Sequence, residues 1–311
     1  MTEPKIIETK NTGYGSNADA MGGRLTNKDG SPNVIRTGLK FLEGNSWFHT
    51  LLIIKRWKFI LVLFIAFLCC NFLFTLLYYL VGVHHLTGIT PLSKLDEISK
   101  VFFFSVQTFT TVGYGHISPN AFDASAISSL EAFCGLLFFA LATGLLYGRF
   151  ARAKAHIRFS HNALIAPYQG DTGLMFRLVP YKNNKLADAE VRLTLALVEV
   201  VDGKRKTEFY TLDTEISKVN SLVLSWTVVH PIVPESPLYG LAADEYALAH
   251  AELIVFFKAF DETACSTVIA RTSYTYAEMV HNAKFTPMFQ RSTKQATTTI
   301  DIDKLNHYEV L

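Results

Sequence analysis

In the stretch TTVGYGHISP, residues 110 to 119, the groups best placed to do chemistry belong to the backbone. Gly113 and Gly115 permit backbone angles closed to other residues, so the carbonyls of Thr111, Val112, Gly113 and Tyr114 can point the same way. A column of such oxygens, repeated from several copies of the chain, replaces the hydration shell of a bare cation. The Thr111 hydroxyl adds a further ligand at the inner end, while Val112 and the Tyr114 ring pack away and hold the width. The tetrapeptide alone is weak, because TGYG also occurs at residues 12 to 15 beside Asn11, Ser16 and Asn17, in a polar stretch of disordered character. The surroundings have to decide.

Those surroundings are apolar. Residues 59 to 83 contain no charge, and residues 124 to 148 contain one carboxylate, Glu131. At about 1.5 Å per residue each run is long enough to cross a bilayer, a length that disfavours a soluble core helix. Between them the apolar core of LDEISKVFFFSVQTFT, residues 101 to 109, is too short to cross and predicts a re-entrant helix. With the loop after it, this pore helix and filter cover residues 94 to 116. Ser93 is its expected cap, with Asp96 and Glu97 favouring its first turn. Irregular backbone cannot face lipid, so the loop needs protein around it, which symmetric assembly of several copies supplies.

Composition agrees. The 311 residues are 50% hydrophobic and only 18% charged, which leans towards a membrane protein with a soluble part. Lys55, Arg56 and Lys58 precede the first span, and Arg149, Arg152, Lys154 and Arg158 follow the second. The loop between carries Lys94 and Lys100, offset by Asp96, Glu97 and Asp123, so both termini are expected in the cytoplasm. Tyr78 and Tyr79 fit an outer aromatic anchor, and Trp57 an inner one. Residues 45 to 58 carry an amphipathic pattern that predicts a helix lying on the inner leaflet, or else a plain extension of the first span. The basic residues at 55, 56, 58, 149, 152 and 154 attract anionic headgroups by about 1 kcal/mol each, or serve only to fix topology. Residues 1 to 44 are polar and expected to be flexible, with no cleavable signal. Four scattered cysteines form no disulfide framework. The net charge of +2 gives no reason to expect a nucleic-acid partner.

From about residue 160 the periodicity becomes two. EVRLTLALVEVVDGKRKTEFYTL alternates around a hairpin signal at Asp202-Gly203, and SLVLSWTVVH, AELIVFFKAF and STVIARTSYTY predict further strands of a β-sandwich over residues 155 to 311. No histidine–cysteine set has metal spacing and no nucleophile motif stands at a strand-to-helix turn, so an enzyme is not expected. The rival is a membrane-anchored β-sandwich adaptor, which leaves the half-crossing helix and its TTVGYG unexplained. A non-selective cation pore is a second rival, but such pores often break the filter, for instance with an aspartate where Tyr114 stands.

Four TVGYG loops are the known filter of potassium channels, so this is a match to a known motif rather than a deduction. RFARAKAHIRFSHNALI, GLMFRL, LSWTVVHPIVPESPLYG and ARTSYTYAEMV are similar to inward-rectifier potassium channels, above all their prokaryotic KirBac group, over roughly residues 45 to 310. The resemblance implies a homotetramer, a helical membrane pore domain and a cytoplasmic immunoglobulin-like sandwich that extends the conduction path. It implies potassium as the permeant ion, no cofactor, a slide helix at 45 to 58, and control by anionic lipid. Trp57 joins the basic residues as a lipid candidate. Eukaryotic members have a glutamate where Gln107 stands and an arginine just past the filter, where this chain reads HISP. Glu131 is then the carboxylate placed to back the filter, with Gln107 and Gly115 as further support. Strong rectifiers carry an acid four positions after the glycine of the second span; here Gly135 plus four is Phe139. Tyr147 matches a pore constriction and, with Phe139, is a gate candidate, while Gly135 and Gly144 bend the helix or allow close packing. AFDETACS, residues 259 to 266, resembles the loop that narrows the cytoplasmic pore. The outer loop lacks cysteine, which favours a bacterial inner-membrane protein.

Overall fold

The computed structural model describes residues 24–35, 37–38, 47–182, 184–201, 204–291 and 298–311. The N-terminal TGYG and Asp202-Gly203 lie outside them. The chain divides into two compact units, residues 37–152 and residues 153–311 together with the segment up to Arg36.

The first unit is helical. A short helix, α1 (Trp47–Ile53), precedes α2 (Arg56–Val81), α3 (Lys94–Phe109) and α4 (Phe122–Phe150). Both α2 and α4 are long and apolar enough to cross a membrane, and only 17% and 11% of their most apolar stretches are buried. Their side chains therefore await lipid or other protein. The long helix starts at Arg56, earlier than expected, so Lys55 is its N-cap and Arg56, Trp57 and Lys58 form its first turn instead of belonging to the interfacial helix. Nothing in the sequence breaks the helix there, because hydrophobicity marks where lipid begins and not where hydrogen bonding begins. Gly82 ends α2 at φ +116°, its N–H bonded to the Tyr78 carbonyl. Ser93 caps α3 by accepting from the Asp96 N–H at 3.2 Å, and Asp96 accepts in turn from the Leu92 N–H. Two-residue strands β1 (Leu86–Thr87) and β2 (Ser118–Pro119) pair antiparallel and clip the loop before α3 to the loop after it.

The second unit is a β-sandwich. One sheet runs β11 (Ser266–Thr275), β10 (Glu252–Asp261), β6 (Leu186–Val201), β7 (Lys204–Leu212), with β8 (Lys218–Ser221) also on β6. The other runs β12 (Met279–His281), β4 (Ala163–Tyr168), β5 (Asp171–Pro180), β3 (Ile157–Phe159), with β9 (Trp226–Ile232) on β5. Alternate residues point inwards, as the period of two demands. Val191, Leu193 and Leu195 lie directly across from Phe257, Val255 and Leu253, and all six are buried. The rings of Phe176 and Tyr274 meet between the sheets at 5.5 Å. A short helix, α5 (Ala243–Leu248), and the tail strands β13 (Ala283–Phe285) and β16 (Tyr308–Val310), paired with each other, complete it beside a second pair, β14 (Phe289–Arg291) with β15 (Thr298–Ile300). In the 259–266 stretch, residues 262–265 form the turn between the end of β10 and the start of β11: Asp261 accepts the N–H groups of Thr263 and Ala264, and Cys265 closes the turn at φ +46°.

One expectation fails. Residues 24–35 do not behave as a loose polar tail but dock on β10 and β11. The Glu252 carboxylate takes the N–H groups of Leu25 and Thr26, Ser273 bonds the Thr26 carbonyl, and Arg24 pairs with Glu278. Polar composition argued for disorder, yet a backbone bonded to buried acceptors needs few apolar side chains to stay in place.

Candidate functional site

The pore helix fixes the loop through backbone accounting. Its last turn leaves carbonyls without helical partners, and the loop N–H groups take them: Thr111 N–H bonds Thr108 O at 3.0 Å, Val112 N–H bonds Gln107 O at 2.9 Å, and Gly113 N–H approaches the same oxygen at 3.4 Å. Gln107 thus supports the loop through its main chain. The Thr110 hydroxyl closes on the Val106 carbonyl at 2.7 Å. Among the described residues, none of the carbonyls of 111 to 114 accepts a hydrogen bond. The first three donors of the loop are used and its acceptors are free, which suits a cation better than an anion.

The conformation follows. Thr111, Gly113 and Gly115 have φ of +61°, +55° and +82°, so left-handed residues alternate along the loop. A Cβ on Gly113 or Gly115 would meet nothing within 4 Å; conformation, not space, selects glycine. Thr111 adopts the same region despite its β-branch, a strained choice that the sequence did not announce. Residues 111 to 115 are exposed in the single chain.

Behind the loop lies a buried polar knot. Glu131 of α4 is fully buried and accepts from the Tyr78 hydroxyl of α2 at 2.7 Å and from the Ser105 hydroxyl of α3. Asn71 of α2 adds two oxygens 3.2 and 3.3 Å from Ser105. One carboxylate therefore joins three helices. Tyr78 is not an interface anchor: it is buried because its hydroxyl has this partner. Tyr79 likewise bonds Glu97 at the start of α3, 3.0 Å away. One turn further along, Gly135 meets Phe109, where a Cβ would stand 2.0 Å from the Phe109 carbonyl oxygen. Gly135 is accordingly a close-packing residue within an uninterrupted helix, while Gly144 has open space. Of the two gate candidates, Phe139 lies beside Phe109 and Phe138 but stays exposed, and Tyr147, strongly exposed, stands in the last turns of α4.

The basic residues separate. Arg149 donates to the carbonyls of Leu51 and Ile54 and lies 4.6 Å over the Phe59 ring. It caps the end of α1 and ties it to α4 with two of its five donors. Gly148 lets α1 approach, with Leu52 at 3.3 Å from its would-be Cβ. Lys55, Arg56, Trp57 and Lys58 are exposed at the start of α2, with Lys58 5.6 Å over the Trp57 ring. Arg152 closes the helical unit, and Lys154 belongs to the other.

Residues 157–310 match the family described as the inward rectifier potassium channel C-terminal domain, and residues 65–152 match the ion channel family. The inward rectifier potassium channel Kirbac3.1 of Paramagnetospirillum magnetotacticum is 34% identical over 271 residues, 86% of this chain and 89% of that one. Inward rectifier potassium channel irk-1 of Caenorhabditis elegans is 29% identical over 90% of this chain and 56% of its own length. Human inward rectifier potassium channel 18 is 26% identical over 77% of this chain and 60% of its own length. Two apolar helices with a pore loop, a β-sandwich after them, and this likeness along most of its length show that the chain belongs to the inward-rectifier potassium channels, in their prokaryotic branch.

Proposed function

We propose that four copies of this chain conduct potassium passively through the carbonyls of Thr111, Val112, Gly113 and Tyr114, with the Thr111 hydroxyl at the inner end. The observation that supports this reading is the asymmetry at the start of the loop: the N–H groups of Thr111, Val112 and Gly113 are turned back onto the end of the pore helix, while among the described residues the oxygens of 111 to 114 accept no hydrogen bond. Fourfold assembly gives those oxygens a shared cation and covers the apolar faces of α2 and α4. Repulsion between ions in adjacent sites lets each bind without being trapped. Tyr147 closes the inner mouth, Gly144 supplies the freedom for its movement, and the cytoplasmic sandwich biases the gate. The distribution of cations supports an inner-membrane protein with both termini in the cytoplasm.

Anionic lipid modulates this channel at the start of α2. Three cations around one helix N-terminus oppose the helix dipole, and the first N–H groups of the helix have no partners within it. A lipid phosphate answers both demands.

The test is rubidium uptake into liposomes holding purified protein, with sodium and barium controls. Uptake that excludes sodium and is blocked by barium is expected. Equal passage of sodium would sink selectivity, and no uptake in any lipid mixture would leave a membrane-anchored adaptor. Gly113→Ala forces a side chain into a left-handed position, at about 1–2 kcal/mol per copy, and should abolish uptake while the tetramer persists. Titrating anionic lipid should change the flux, and the triple variant K55Q/R56Q/K58Q should no longer respond.

A further inference from the structure

Four segments of the cytoplasmic unit meet around a cleft of about 570 Å³: the turn from β5 to β6, the stretch that follows β8, the turn from β10 to β11, and residues 300–302 of the tail. Their main chains fix one another, because the Leu222 N–H bonds the Leu186 carbonyl at 2.8 Å and the Glu262 N–H bonds the Lys185 carbonyl at 3.0 Å. Leu186, Leu222, Val223, Ile300 and Ile302 make much of the lining apolar.

The polar groups of the cleft lack partners within the fold. Asn184 donates through Nδ2 to the Ala155 carbonyl at 2.8 Å, which fixes the way its amide faces. Its Oδ1 is buried and has no hydrogen-bond partner among the described residues. A buried acceptor left bare is costly, so an occupant that supplies a donor is favoured there. Lys182, Lys185 and Glu262 are exposed and line the same cleft, and among the described residues none of them has an ion-pair partner. Lys218 of neighbouring β8, by contrast, is already paired with Asp188 at 3.0 Å.

We infer that this cleft binds a free α-amino acid with an apolar side chain. A simple anion suits the two lysines, but it meets Glu262 as a like charge and has no hydrogen for Asn184. A simple cation suits Glu262 and Asn184 and meets the lysines as like charges. A zwitterion answers all four: its ammonium donates to Asn184 Oδ1 and to the Glu262 carboxylate, and its carboxylate accepts from Lys182 and Lys185. The side chain then covers Leu222, Val223, Ile300 and Ile302. Apolar walls with a few converging polar groups at this volume are the pattern of a small-molecule site. The occupant joins the tail to the turn between β10 and β11, so its binding stabilises the cytoplasmic unit by mass action. The site uses no residue of the pore loop and does not rest on the conduction reading.

The test is calorimetry of the full-length tetramer in detergent with L-leucine. Two half-molecules serve as controls: 4-methylpentanoate, which lacks the ammonium, and 3-methylbutylamine, which lacks the carboxylate. Loss of one charge-assisted bond weakens binding about tenfold, so each half-molecule should bind at least that much more weakly, and K185Q and E262Q should each show a similar loss. Glycine, with both poles and no apolar body, should also bind about tenfold more weakly than leucine. Leucine should raise the melting temperature of the cytoplasmic unit in the parent and not in K185Q/E262Q. Absence of saturable heat with leucine, or equal binding of leucine and either half-molecule, overturns the site. So does parent-like binding by a double variant that elutes and melts as the parent does without ligand.

Discussion

In the cytoplasmic unit, Val191, Leu193 and Leu195 of one strand are covered by Phe257, Val255 and Leu253 of the next, within one large cluster of apolar side chains. In the membrane unit, the matching contact between α3 and α4 is a carboxylate on a hydroxyl at Glu131 and Ser105, and a glycine on a carbonyl one turn away at Gly135 and Phe109. The difference follows from the solvent. Water drives apolar side chains together whatever their shape, whereas lipid offers them the same environment that a neighbouring helix does. Helices in lipid therefore rely on close approach and on polar bonds beside their apolar contacts, here those of Phe104, Phe109 and Phe138.

The contrast breaks most completely at Gly135. Gly135→Val places atoms where the Phe109 carbonyl already stands, and Phe109 ends the helix that carries the TTVGYG loop. Rubidium uptake should vanish, while the cytoplasmic unit keeps its protease resistance and β-sheet circular dichroism. Normal uptake by this variant would mean that α3 and α4 do not meet in the conducting state. A large loss is also expected at Phe257, fully buried in the sandwich. Phe257→Ala should lower stability by about 3–5 kcal/mol, read as a fall in the denaturant midpoint of the cytoplasmic transition. A fall shared equally by the tetramer's dissociation temperature would show that the two units are not independent.

Glu131 sharpens the same comparison at smaller scale. Glu131→Ala leaves the Tyr78 and Ser105 hydroxyls without their acceptor, at a cost of about 1–2 kcal/mol for polar contacts between membrane helices. Glu131→Gln keeps an acceptor and should lose less. Because the carboxylate positions the pore helix without touching ions, sodium exclusion and barium affinity should shift along with stability. A variant that is merely less stable, with unchanged ion discrimination, would reduce Glu131 to a structural strut.

What the sequence displayed and what it hid divide along the range of the contacts. The filter motif, the two spans, the Ser93 cap and the alternation in β6, β10 and β11 are written in consecutive letters, because local geometry or local solvent decides them. Tyr78 reads as an interfacial anchor until Glu131, 53 positions away, is seen to hold its hydroxyl. The bonds from Arg149 to the carbonyls of Leu51 and Ile54 leave no mark in a sequence either. The docked segment is hidden most thoroughly, since Leu25 takes its acceptor from a residue 227 positions on. A polar stretch looks disordered when its partners are a strand edge that forms only in the folded domain.

That segment also carries the smallest predicted effect. Burial pulls Lys28 down to about 8, with Arg24 adding to the fall and Glu278 only partly offsetting it. In the undocked segment the same lysine titrates near its usual value of about 10.4. Below pH 8 it is charged in both states and docking has no slope from this group. Between about 8 and about 10.4 the docked state binds fewer protons than the free one, so docking strengthens as pH rises, and above that window the gain stops. Amide exchange across residues 25–33, corrected for its intrinsic base catalysis, should therefore slow from pH 8 towards 10 in the parent and not in Lys28→Met. A parent segment that loosens over this window, or a variant with the same slope, would show that the charge of Lys28 is not taken out of water when the segment docks.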